Sequence, residues 1–118
     1  LLAHLLSLNP EWRGASVTLR MIVSDEAERQ PMAERMNHLV TEARIAAETD
    51  VIVQQEGEQG VRPLMHRASA DADVVFLGLM IPAFGDEMRY AERLEKLASG
   101  FKTTIFVRNA GRFAGDLL

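Results

Sequence analysis

The carboxylates Asp25 and Glu26 stand directly behind a strand-like run, and adjacent acids are the residue type that holds a divalent cation. Their other reading is plain. Acids crowd the start of a helix because they suit its dipole and cap its first amides. Gly78 sits within another apolar run, where a missing side chain would let a phosphate reach backbone amides, and Pro82 and Gly85 shape the loop behind it. A lone glycine in an apolar strand more often marks close packing. His4, His38 and His66 fall on three separate helical stretches without ligand spacing, so they read as surface or interface imidazoles. Ser7, Ser16, Ser24, Ser69 and Ser99 lie in no G-x-S-x-G context, and no P-loop occurs. Met32, Met36, Met65, Met80 and Met88 are spaced as core or interface fillers. Nothing assembles into a catalytic constellation, so the reading is a non-enzyme without a metal site.

The elements that would position these residues follow from periodicity. Leu1 to Leu8 is a Leu-rich half-helix ended by Asn9-Pro10, since a residue before proline leaves the α region. Trp12 in the turn that follows is expected to clamp this helix onto the domain. Val17, Leu19, Met21 and Val23 alternate as one face of a first strand. Met32, Met36, Leu39, Val40, Ala43 and Ala47 then form one helical stripe, with Pro31 in its first turn or at a kink. Thr49 to Gln55 reads as a second strand and Val61 to Ala68 as a short helix. Asp73 to Met80 reads as a third strand buried on both faces, bounded by Pro82. Asp86 to Ser99 reads as a helix with Met88, Ala91, Leu94, Leu97 and Ala98 inward, stopped by Gly100, and Thr103 to Arg108 as the fourth strand.

Every strand-to-strand connection contains a helix, which implies right-handed crossovers and a parallel sheet. The expected fold is therefore α/β: a four-stranded, mostly parallel, doubly wound sheet of order 2-1-3-4 with an extra N-terminal helix. Its parts would be a connector at 1–14, one α/β domain at 15–108 and a tail at 109–118. In that order the switch point, where such folds bind ligands, lies between Ser24-Asp25 and the Gly78 to Pro82 loop.

Composition narrows the class. With 118 residues, 47% hydrophobic and 25% charged, the chain has the balance of one globular domain. Thirteen basic residues against seventeen acidic leave no half basic enough to track a nucleic-acid backbone. The absence of cysteine excludes disulfides and thiolate metal sites. No apolar run approaches the ~20 residues that span a bilayer, so the chain by itself is expected to be soluble. It opens on Leu1 rather than methionine, as a domain excised from a larger protein would.

Three families bear comparison. Asp25-Glu26 resembles the acidic, magnesium-binding pocket of phosphoacceptor receiver domains, but the acceptor position at the end of the third strand holds Leu79-Met80, and Lys102 precedes the fourth strand instead of following the third. Asp71 to Arg108 is similar in pattern to universal stress proteins. There, further glycines build a phosphate loop; here Ile81 and Ala91 stand at those spacings. The broadest likeness is a third. Leu5-Leu6-Ser7-Leu8-Asn9-Pro10-Glu11-Trp12-Arg13-Gly14-Ala15, with the strand Val17-Thr18-Leu19-Arg20-Met21, resembles the start of the cytoplasmic C-terminal domain of cation-chloride cotransporters and related bacterial amino-acid permeases. Asp73 to Pro82 is similar to the central strand and proline loop of that domain, and Thr104 to Gly111 to its late strand-Arg-Gly segment.

This resemblance implies a universal-stress-protein-like domain at the cytoplasmic face of the membrane, concerned with regulation and assembly beneath a transporter. Its partners would be the transmembrane part of the same protein and a second copy. The connector and interface residues are expected at Leu5, Leu8, Trp12, Ile105, Val107 and Phe113, with the edge of the fourth strand or the tail as the two-fold contact. Neither nucleic acid nor a transported substrate is expected to bind. No cofactor is implied, although ATP or another nucleotide at Asp25, Gly78, Pro82 and Gly85 is the alternative, a stress-type sensor. A small hydrolase-like or transferase fragment is a third reading, which lacks a nucleophile.

Overall fold

The computed structural model describes residues 1–57 and 60–110. The chain is α/β, with its strands parallel, and divides into two compact units, Leu1–Val61 and Arg62–Leu118.

The first unit opens with helix α1 (Leu2–Ser7), followed by a 3₁₀ turn at Pro10–Trp12 that Asn9 starts by accepting the Glu11 amide at 3.0 Å. Trp12 is half-buried in this turn, which is in contact with α1. Strands β1 (Thr18–Val23) and β2 (Glu48–Val53) then pair in parallel, in register from Thr18 opposite Glu48 to Val23 opposite Val53. Between them runs α2 (Arg29–Glu42), which packs on β2. Pro31 sits in its first turn, where a missing N–H deprives the helix of nothing. Met36 and Val23 are the buried apolar side chains of this unit. Thr49 Oγ donates to Asn37 Oδ1 at 2.6 Å, and Arg20 reaches Asp50 on the neighbouring strand at 2.9 Å.

Two expectations change here. The helix stops at Glu42, because Arg44 turns left-handed at φ 52° and the Ile45 amide folds back on the Val40 carbonyl at 3.1 Å, so Ala43 and Ala47 lie off the stripe. On β1, Met21 faces out, whereas Ile22 is half-buried.

The second unit repeats the plan on a smaller scale. Helix α3 (Val61–Ala68) buries Leu64 and leads to β3 (Val75–Gly78), which pairs in parallel with β4 (Thr104–Val107) across α4 (Glu87–Ala98). His66 joins α3 to the end of α4: its Nε2–H donates to the Leu97 carbonyl at 2.8 Å, and its ring meets Phe101 edge-on with centroids 4.7 Å apart. A carbonyl can only accept, so Nε2 carries the proton. Gly100, at φ 117°, ends α4 with its Cα turned onto that ring; an added Cβ would lie 3.2 Å from His66 Cε1. At the amino-terminal end of the ladder Lys102 pairs with Asp73 at 3.1 Å.

The third strand is shorter than its apolar run. Its ladder covers four residues, and Val75, Phe76 and Leu77 are half-buried rather than enclosed on both faces. Among the described residues the strands thus form two two-stranded parallel sheets, and pairing across all four is not seen.

Candidate functional site

In parallel α/β structures the loops leaving the carboxyl ends of the strands carry the working residues. In each unit one such loop, after β1 and after β3, leads into the crossover helix. After β1, the acids are occupied with the loop's own backbone: Asp25 accepts the Ala27 amide, Glu28 accepts the Ser24 amide at 3.1 Å, and Glu26 pairs with Arg29 at 3.2 Å. Asp25 therefore acts as the cap of a 3₁₀ turn. Among the described residues no group of three His, Cys, Asp or Glu side chains comes together to hold a metal ion.

The loop after β3, Leu79 to Asp86, is built differently. From Val74 to Gly85 the chain has no charged residue. Three of its backbone donors find partners inside the unit: the Leu79 amide donates to the Val107 carbonyl at 2.8 Å, the Met80 amide to the Tyr90 hydroxyl at 2.9 Å, and the Asp86 amide to the Ala83 carbonyl at 2.9 Å. Gly85, at φ 88°, supplies the turn that reverses the chain into α4. A phosphate cradle needs amides that are unoccupied and converge on one point. The two amides that follow Gly78 are already bonded elsewhere.

With the backbone tied down, the side chains turn outward. Phe84 is fully exposed, Met80 and Met88 are 76% exposed, and Ile81 is 71% exposed. That corrects the core assignment of Met80 and Met88; Ala91 is exposed too, and only Leu94, Leu97 and Ala98 of the expected stripe are half-buried. Met36, by contrast, is buried, with Met32 and Met65 half-buried. Nothing lies within 4 Å of a Cβ placed on Gly78, so close packing is not what this glycine serves. Pro82 is half-buried.

Of the expected contact residues, Leu5 and Leu8 are exposed on α1, Ile105 is exposed on β4, Val107 is half-buried, and Phe113 lies outside the described residues. His66 proves to be an internal strut, while His38 is exposed and reaches Glu42 at 3.3 Å. Tyr90 escaped the sequence reading. Its signal is positional: side chains in the first turns of a helix lean back toward the amino terminus, so a tyrosine there can reach the loop in front.

Comparison with family models, curated proteins and solved structures finds no match to this chain. Among the described residues no helix is long and apolar enough to cross a membrane. What the chain presents at the end of β3 is an apolar surface on a loop whose backbone is held at Leu79, Met80 and Asp86.

Proposed function

We propose that this chain is a non-catalytic regulatory and assembly domain on the cytoplasmic face of a membrane secondary transporter, of the cation-chloride cotransporter or amino-acid permease type. The observation that carries this reading is the loop after β3, where paired amides and outward Met80, Ile81 and Phe84 suit contact with another surface better than capture of a phosphate. The Leu-rich α1 and its Pro10–Trp12 turn fit a connector that meets the membrane part. In this reading β1 adjoins β3 to complete a four-stranded sheet of order 2-1-3-4, and no cofactor is required.

An antibody raised against this chain should detect the native protein in the membrane fraction, resistant to carbonate extraction and heavier than 13.1 kDa. Recovery only as a carbonate-extractable 13.1 kDa species would overturn the reading. A thermal upshift on adding ATP or AMP at millimolar concentration would favour a nucleotide sensor instead. The four-stranded sheet has its own test in solution scattering. A compact chain of this length has a radius of gyration of about 13–14 Å, and a clearly larger value would argue for two separate bodies.

A further inference from the structure

Among the described residues, large exposed apolar side chains gather in two places: Leu1, Leu2, Leu5 and Leu8 at α1, and Met80, Ile81, Phe84 and Met88 around the loop after β3. We propose that these are two halves of one interface, with α1 of one copy seated on the β3 loop of a second copy and the exchange completed reciprocally. This deepens the assembly role proposed above and rests on it only in treating the chain's surfaces as its working part.

Three observations select this occupant. The first is charge. No Asp, Glu, Lys or Arg occurs from Leu1 to Pro10 or from Val74 to Gly85, and the one basic side chain in these stretches, His4, is half-buried, so each surface is matched best by another that is equally poor in charge. The pattern is that of an amphipathic helix laid on an apolar surface: Leu1, Leu5 and Leu8 fall at i, i+4 and i+7, and methionine with phenylalanine gives a receiving face that adapts to leucine.

The second is area. The four leucines, 45–68% exposed, offer roughly 400 Å² and the four larger, more exposed side chains of the loop roughly 600 Å², each under the ~800 Å² per partner of a stable interface. Joining loop to loop or helix to helix would leave the other patch in water. A two-fold exchange uses both patches on both copies, offering roughly 1,000 Å² per partner, and it closes without leaving a sticky end.

The third is preorganisation. The Tyr90 hydroxyl, the Val107 carbonyl and the Ala83 to Asp86 turn hold the loop's shape before any partner arrives, so little chain entropy is lost on docking.

The chain contains no cysteine, which makes the test clean. Leu5→Cys and Phe84→Cys are introduced into separate chains, mixed and oxidised. The expected product is a disulfide-linked dimer of twice 13.1 kDa, formed in excess over the dimers of either variant alone. Sedimentation of the unaltered chain should fit a reversible monomer–dimer equilibrium, and Phe84→Asp should raise its dissociation constant at least tenfold. Circular dichroism checks that each variant folds. Equal cross-linking of Phe84→Cys with itself, or closure of the doubly substituted chain within a monomer, overturns the exchange. Strictly monomeric sedimentation overturns it as well, while leaving the membrane fractionation result untouched.

Discussion

The loops after β1 and β3 occupy equivalent positions in two β-α-β units, and each leads from a parallel ladder into a helix. The first is polar and self-sufficient, its amides met by Asp25 and Glu28. The second has no polar side chain between Leu79 and Gly85. Its amides turn to backbone carbonyls and to one hydroxyl borrowed from α4. Topology alone would nominate both as ligand sites. What separates them is how each backbone is satisfied, because that decides whether side chains face inward to the loop or outward to a partner.

The strongest challenge to this contrast removes a buried side chain from each unit. Met36→Ala and Leu64→Ala should each destabilise by about 2–4 kcal/mol, and calorimetry should find one melting transition lowered by either. Two transitions, each sensitive to one substitution, would mean that the units fold as separate bodies.

The helix exits offer the next test, since both use a left-handed residue: Arg44 after α2 and Gly100 after α4. Gly100→Ala adds a methyl against the His66 ring as well as backbone strain, for a loss of about 2 kcal/mol or more. Arg44→Gly relieves strain and should gain up to about 1 kcal/mol, partly offset by a freer unfolded chain. Urea midpoints report both. If the two changes shift stability in the same direction, the helix ends are not the equivalents described.

Tyr90→Phe isolates the borrowed hydroxyl. A loss of about 1 kcal/mol is expected, with faster hydrogen exchange at the Met80 amide and no change at Ala27. The smallest effect belongs to the ion pairs. Asp50→Asn on the first ladder and Lys102→Gln beside the second should each change stability by under about 1 kcal/mol, and the difference should fade in molar salt.

Much of the fold was legible in the chain. All four strands, the helices around them and the stop at Gly100 follow from hydrophobic period and from glycine and proline placement. The illegible part is concentrated after Gly78. An apolar run reads alike whether its residues continue a strand or leave it, so Met80 looked like core. Hydrophobic spacing equally assigned Met88 to the buried face of α4, because periodicity identifies a stripe without saying where along the helix its cover ends. Arg44 ended α2 early for a reason no composition rule carries, since arginine is not the usual left-handed residue. Asp25 was readable as a helix-start cap, and that is how it serves, whereas Glu26 pairs with Arg29 and Glu28 accepts the Ser24 amide.

The Lys102–Asp73 pair has a further consequence. It lies at the amino-terminal end of the β3–β4 ladder, and the uncharged loop lies at the other, only four residues of strand away, about 13 Å. Along the strand direction the β3 segment therefore passes from an ion pair to an uncharged tip, with charge returning only at Asp86. Against a nonpolar boundary, such as a chromatographic phenyl bead, that tip rather than the Lys102 end is the part of β3 able to make contact without stripping water from a charge.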